Sequence, residues 1–152
     1  MNYNYIIKLG NANTTIVKAG EGVLLHEPSV VAVSSKDMAF KASGNMAYKA
    51  VANSDTLELV SPIADGVIKN KQLATCMLKS FLKQIGFKNK FAKNNVVLLI
   101  PSSIDAKEKN EYVNVAYSCM FTNVSLLPSI LVGMVDMEIR SEEHTSELQS
   151  RE

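Results

Sequence analysis

The chain opens with two apolar, β-prone runs, Tyr3–Leu9 and Thr14–Lys18, split by the polar, turn-forming stretch Gly10–Asn13. That pattern predicts two strands joined by a tight turn. Ala19-Gly20-Glu21-Gly22 makes the next turn, and Val23–His26 with Ser29–Val33 reads as a third strand carried around Pro28. A proline has no N–H to donate to a ladder, so an edge or bulged position is expected there. Three strands with short turns form an antiparallel meander.

The pattern then loosens. Residues of about 35–60 read as a small insertion, with a short helix over Gly44–Ala52 and a strand over Thr56–Val60. From Lys69 to Ile85 the apolar positions Leu73, Met77, Phe81 and Ile85 recur on one helical face. Phe87–Asn95 is a basic loop, and Val96–Ile100 is a continuous apolar run of the fully buried strand type, closed by Pro101. Ser103 or Asp105 is placed to cap a helix over Ala106–Ser118, with Val113, Ala116 and Tyr117 on its inner side. Val124–Leu127 is a short strand, and Pro128 is placed to start an apolar helix, Ser129–Ile139. The class is α/β: a β-meander, an insertion, then alternating helices and strands.

Composition narrows the function. With 152 residues, 47% of them apolar, the chain is one domain or a piece of a larger one. A net charge of +1 gives no reason to expect nucleic acid as partner. Cys76 and Cys119 fall in helical segments and read as buried thiols rather than a disulfide framework. The N-terminus has no signal-peptide pattern, and no apolar run approaches the roughly 20 residues of a membrane span, so a cytoplasmic chain is the expectation. Arg140–Ser150, RSEEHTSELQS, breaks with everything before it and reads as one frame of a widely used DNA-sequencing adapter. Residues 140–152 are therefore expected to be foreign, and the natural chain to continue past Ile139. That tail has two Arg and four Glu, a net −2, which leaves the body at +3.

Candidate chemistry begins at the first turn. Backbone N–H groups of a Gly-containing turn can converge on an anion, and Asn11 and Asn13 can add amide donors. An ordinary hairpin turn has the same composition, so both readings stand on these residues alone. His26 has no second ligand at metal spacing, and Ser102 and Ser103 lack a nucleophile elbow. Phe87 and Phe91 alternate with Lys88, Lys90 and Lys93, a pattern suited to a membrane surface or to a solvated connection with the rings turned inward.

Four stretches in order carry a resemblance: Lys8-Leu9-Gly10-Asn11-Ala12-Asn13-Thr14, His26-Glu27-Pro28-Ser29-Val30-Val31-Ala32, Pro62-Ile63-Ala64-Asp65-Gly66-Val67-Ile68 and Ile100-Pro101-Ser102. Over Tyr3–Ile139 the chain resembles the first half of the MreB/Mbl family of bacterial actin homologues. The resemblance implies an actin-like ATPase (ribonuclease H-like) fold, ATP or ADP as ligand, a head-to-tail filament as partner and a role in cell shape. It also implies that Asn11, Ala12 and Asn13, with Gly10 permitting close approach, touch the phosphates, and that the loop near Phe87 and Phe91 contacts a membrane surface. Two positions depart from the pattern. Lys8 stands where the family has a metal-managing aspartate, and Leu127 where it has the glutamate that orients the attacking water. Mg2+ binding is thereby put in doubt, and at most weak ATPase activity is expected. Lys8 either offers its ammonium to the phosphates or marks a site that has lost its chemistry. A chaperone or sugar-kinase ATPase of the same fold, and a gene fragment without function, remain the alternatives.

Overall fold

The computed structural model describes residues 4–88 and 93–129. The main sheet has five strands in the order β10-β9-β1-β2-β3: β1 Tyr5–Leu9, β2 Asn13–Lys18, β3 Gly22–Pro28, β9 Asn95–Ile100 and β10 Asn123–Pro128. The meander β1–β2–β3 is antiparallel, as the turns predict, whereas β9 and β10 run parallel to β1. Pro28 closes β3 on the sheet edge, where its missing N–H leaves no ladder bond unmade.

The expected third strand is in fact two strands in different sheets. Beyond Pro28 the chain leaves the main sheet, and β4 (Val31–Ser34) becomes the centre of a small sheet with β5 (Phe40–Ser43) and β6 (Leu57–Val60), order β5-β4-β6. Helix α1, Asn45–Ala52, packs on these strands. The small unit thus begins at Val31 rather than near residue 35, because Val31, Ala32 and Val33 are all buried and need partners on both sides. The sequence reading missed β5, and also the two-residue strands β7 (Ile63–Ala64) and β8 (Val67–Ile68), which pair across the Asp65-Gly66 turn.

Helix α2, Lys71–Gln84, starts at Asn70, whose side chain accepts the Leu73 N–H at 2.9 Å. It buries Leu73, Ala74, Met77, Leu78, Phe81 and Leu82, a wider stripe than the single row expected. Helix α3, Ala106–Ser118, starts at Asp105, which forms a reciprocal capping box with Glu108. Its buried face is Tyr112, Val115 and Ala116, while Tyr117 is 50% exposed. The predicted inner face was therefore rotated, because the aromatic ring assigned inward at Tyr117 belongs at Tyr112. Tyr5, Ile7 and Leu9 of β1 and Val96, Leu98 and Ile100 of β9 meet these helices in one core.

Of the two readings of Phe87, its geometry is that of a ring turned inward: it is half-buried and packs at 5.4 Å from Tyr5 and 4.9 Å from Phe121, centroid to centroid. Phe91 lies outside the described residues, as do the expected helix 130–139 and the tail 140–152. Pro128 is the last residue of β10. Cys119 is buried and Cys76 half-buried, and both are free thiols. Among the described residues, no helix is long and apolar enough to cross a membrane.

Candidate functional site

After β1 the chain turns toward β2 on one side of the sheet, and after β9 it passes through α3 to β10 on the other. The point between β1 and β9 is a topological switch, and ligands of open α/β sheets bind outside the carboxyl ends of strands at such a point. A cleft of about 410 Å3 lies there. It is lined by the whole turn Gly10–Asn13, by Lys8, Thr15 and His26 from the meander, by Leu99 and Pro101 at the end of β9, and by Gly66 and Ser129. Gly10, Asn11, Ala12 and Asn13 are thus brought together at one wall.

The turn is fastened by its acceptors. Asn13 C=O accepts the Gly10 N–H at 3.0 Å, and Ala12 C=O accepts the Ser29 N–H at 2.9 Å. Asn11 Oδ1 accepts the Gly66 N–H at 2.8 Å. Below the turn, the hydroxyls of buried Thr14 and Ser29 meet at 2.8 Å. The backbone N–H groups of Asn11 and Ala12, by contrast, have no acceptor among the described residues. These three acceptors are engaged while the two N–H donors are left over, so the turn has donors to offer an anion. A Cβ on Gly10 would stand 2.7 Å from Asn13 O, so the turn closes this tightly only with glycine.

Asn11 has a part that its sequence position did not suggest. Its Oδ1 is spent on holding the Asp65-Gly66 turn against the Gly10–Asn13 turn, and its amide N–H groups remain for a ligand. Gly66 is held from the other side too, its C=O accepting from Tyr112 Oη at 2.7 Å. Burial raises the Tyr112 phenol to about 12, with the Glu108 carboxylate adding to the rise, so the hydroxyl stays a donor at neutral pH. Sequence reasoning quoted Asp65-Gly66 without giving it this place, and Tyr112 carried no signal beyond its helical position.

Thr15 and His26 were also missed as cleft residues, although strand register carries them there. Cross-strand partners run His26–Thr15–Lys8–Leu99–Leu127 over β3, β2, β1, β9 and β10. Residues opposite one another share a face of the sheet, so the two departures, Lys8 and Leu127, flank Leu99 in one row. Thr15 Oγ1 and His26 Nδ1 are 2.8 Å apart. Lys8 is exposed, with its Cε only 3.8 Å from where a Gly10 Cβ would stand, so its stem lies along the turn.

These residues fit the phosphate end of a nucleotide: two unused N–H donors, a lysine and a glycine that allows close approach. They do not fit a divalent metal. Among the described residues no carboxylate lines the cleft, and no group of three His, Cys, Asp or Glu is able to bind one.

The geometry has counterparts in known proteins. A family profile described as MreB/Mbl protein matches residues 3–148. The chain is 33% identical to the cell shape-determining protein Mbl of Bacillus subtilis (strain 168) over 104 residues, which are 68% of this chain and 31% of that relative. It is similar to the structure of MreB5 of Spiroplasma citri bound to ADP, with a TM-score of 0.68 and 29% identity over 82% of this chain and 38% of that one. For MreB5 of Spiroplasma citri bound to AMPPNP the TM-score is 0.70, with 28% identity over 84% of this chain and 39% of that one. The fold is that of part of an actin-like ATPase. The chain spans about a third of the length of the Mbl relative.

Proposed function

The chain belongs to the MreB/Mbl family, and from that premise we propose that it acts as a bacterial actin-like cytoskeletal protein of cell shape. It binds ATP or ADP with its phosphates on the Gly10–Asn13 turn and assembles head to tail with copies of itself. The observation that carries this reading is the turn at the switch point, where the Asn11 and Ala12 N–H groups have no acceptor among the described residues while Ala12 C=O, Asn13 C=O and Asn11 Oδ1 are engaged. MreB5 of Spiroplasma citri, similar over most of this chain, was crystallised bound to ADP and to AMPPNP, which supports a nucleotide as the ligand. The family match favours this function over a chaperone or sugar kinase of the same fold.

Hydrolysis is slow in this reading. Phosphoryl transfer depends on placing the nucleophile and neutralising the transferred charge. Leu127 can neither accept a proton nor orient a water, and Lys8 repels the cation that a carboxylate would hold. Membrane contact is left out of the proposal, since Phe87 is committed to an aromatic cluster.

Phosphate release and sedimentation of the full chain with ATP test both halves. Pelleting that depends on nucleotide is expected, with phosphate release at least about 100-fold below that of the double variant Lys8→Asp/Leu127→Glu. Release by the wild type as fast as by the double variant would refute the hydrolytic part. Absence of any nucleotide binding would refute the whole.

A further inference from the structure

We infer that Lys8 itself neutralises the bound phosphates in this chain, so that polyphosphate binds without a divalent metal. The inference rests on the nucleotide reading above and adds to it the identity of the counter-ion.

Among the described residues, Lys8 is the one cation of fixed charge that lines the cleft. It sits at the wall where the unused N–H groups of Asn11 and Ala12 gather, with its stem running along the turn toward Gly10. Among the described residues no carboxylate pairs with its ammonium, and the ion pair formed is Lys18–Glu21, at 3.1 Å. The acidic groups nearest in sequence to the cleft are otherwise placed. Glu27, beside His26, accepts from the Asn45 N–H at 3.0 Å and from Gln84 Nε2 at 2.6 Å. Asp65, beside Gly66, lies on an exposed turn and does not line the cleft.

Chemistry decides between the two cations. Mg2+ demands near-octahedral oxygen ligands and keeps several waters, which nearby carboxylates must hold. The row offers Lys8, Leu99 and Leu127 on β1, β9 and β10, one cation and two hydrocarbons. An ammonium needs none of that scaffolding. It pairs with phosphate oxygens as a point charge through strong charge-assisted hydrogen bonds. Nucleotide already chelated by Mg2+ carries less negative charge, so it gains less from Lys8 than free nucleotide does.

Isothermal titration of the full chain with ATP and with inorganic tripolyphosphate, each in EDTA and in excess Mg2+, tests this. For the wild type, affinity in EDTA is expected to equal or exceed that in Mg2+. Lys8→Ala should lose about tenfold in EDTA, the size of one charge-assisted hydrogen bond. Lys8→Asp should invert the dependence, binding poorly in EDTA and about tenfold or more tightly once Mg2+ is added. Lys8 is exposed, so these variants leave the core alone, and circular dichroism confirms it. A merely structural lysine would lower affinity equally in both buffers and would show no inversion. Wild-type binding about tenfold tighter in Mg2+ than in EDTA overturns the inference and leaves the nucleotide reading standing. No binding of either probe in either buffer overturns both.

Discussion

Gly66 joins the cleft to the core, and replacing it by alanine should cost far more than a turn glycine ordinarily does. The residue has φ of 75°, a left-handed conformation that costs an L-residue about 1–2 kcal/mol. A Cβ there would stand 2.7 Å from Pro101 Cγ, below any relaxed contact, and the proline ring is not the free end of a flexible side chain. Overpacking of this kind costs about 1–3 kcal/mol. Any backbone shift that relieves it lengthens the two bonds that hold Gly66, from its N–H to Asn11 Oδ1 at 2.8 Å and from Tyr112 Oη to its C=O at 2.7 Å. The sum is about 2–5 kcal/mol, against a total stability of roughly 5–15 kcal/mol for a domain, and it should lower Tm by about 10 °C or more. Gly20→Ala is the matched control. Its φ is 81°, yet a Cβ there meets nothing within 4 Å, so it carries the conformational term alone. Thermal unfolding followed by circular dichroism compares the two. If Gly66→Ala destabilises no more than Gly20→Ala, to within about 0.5 kcal/mol, the Pro101 contact and the paired hydrogen bonds contribute nothing.

Two further predictions concern the core. Phe87→Ser should destabilise by about 2 kcal/mol, since the half-buried ring loses its contacts with Tyr5 and Phe121. An unchanged midpoint in urea would put Phe87 back among surface residues. Stability should also fall steeply above pH 9. Burial pushes the Tyr112 phenol and the Cys119 thiol up to about 12 from ordinary values of 10 and 9. The folded chain holds these protons more tightly than the unfolded chain, so their contribution is complete below the unfolded pKa and is lost as pH rises toward 12. Tyr112→Phe removes its own share, on the order of 2–3 kcal/mol, and should flatten the decline between pH 10 and 12. Parallel pH profiles for the two proteins would contradict that.

Strand and helix existence could be read from local pattern wherever one element served one sheet. β9 shows this best, for five successive apolar residues are buried on both faces and need no period to be recognised. The passage from β3 to β4 could not be read in the same way. Pro28 and Ser29 mark an irregularity, but only long-range pairing decides that Val31 joins Val60 and Ser43 instead of continuing the meander. The rotated face of α3 has a related cause. Tyr112 and Tyr117 are equally able to be buried, and the choice rests on the Gly66 carbonyl, 46 residues earlier, that receives the Tyr112 hydroxyl. For the site, the turn Gly10–Asn13 was legible because its composition is local. The cleft's remaining walls were not, because Thr15, His26, Gly66 and Pro101 converge only through register and tertiary contact. The double use of Asn11 was equally hidden, since its partner is a backbone N–H 55 residues away.

That same register links Lys8 and Leu127, the two positions expected to depart from the family pattern. Lys8 and Leu127 lie two strands apart on one face, so their backbones are separated by roughly 10 Å. Lysine and glutamate side chains together span that gap. A glutamate at 127 beside a lysine at 8 would therefore form an ion pair over Leu99 and draw the ammonium away from the phosphate turn. With leucine at 127 the ammonium has no such rival at that position, and on the proposed reading it stays available to the phosphates. It follows that Leu127→Glu alone, far from restoring hydrolysis, should weaken polyphosphate binding severalfold while leaving phosphate release as slow as before. Hydrolysis should rise only when Lys8→Asp is added. Were Leu127→Glu by itself to speed phosphate release, the two positions would be independent, and Lys8 would not be the counter-ion of this cleft.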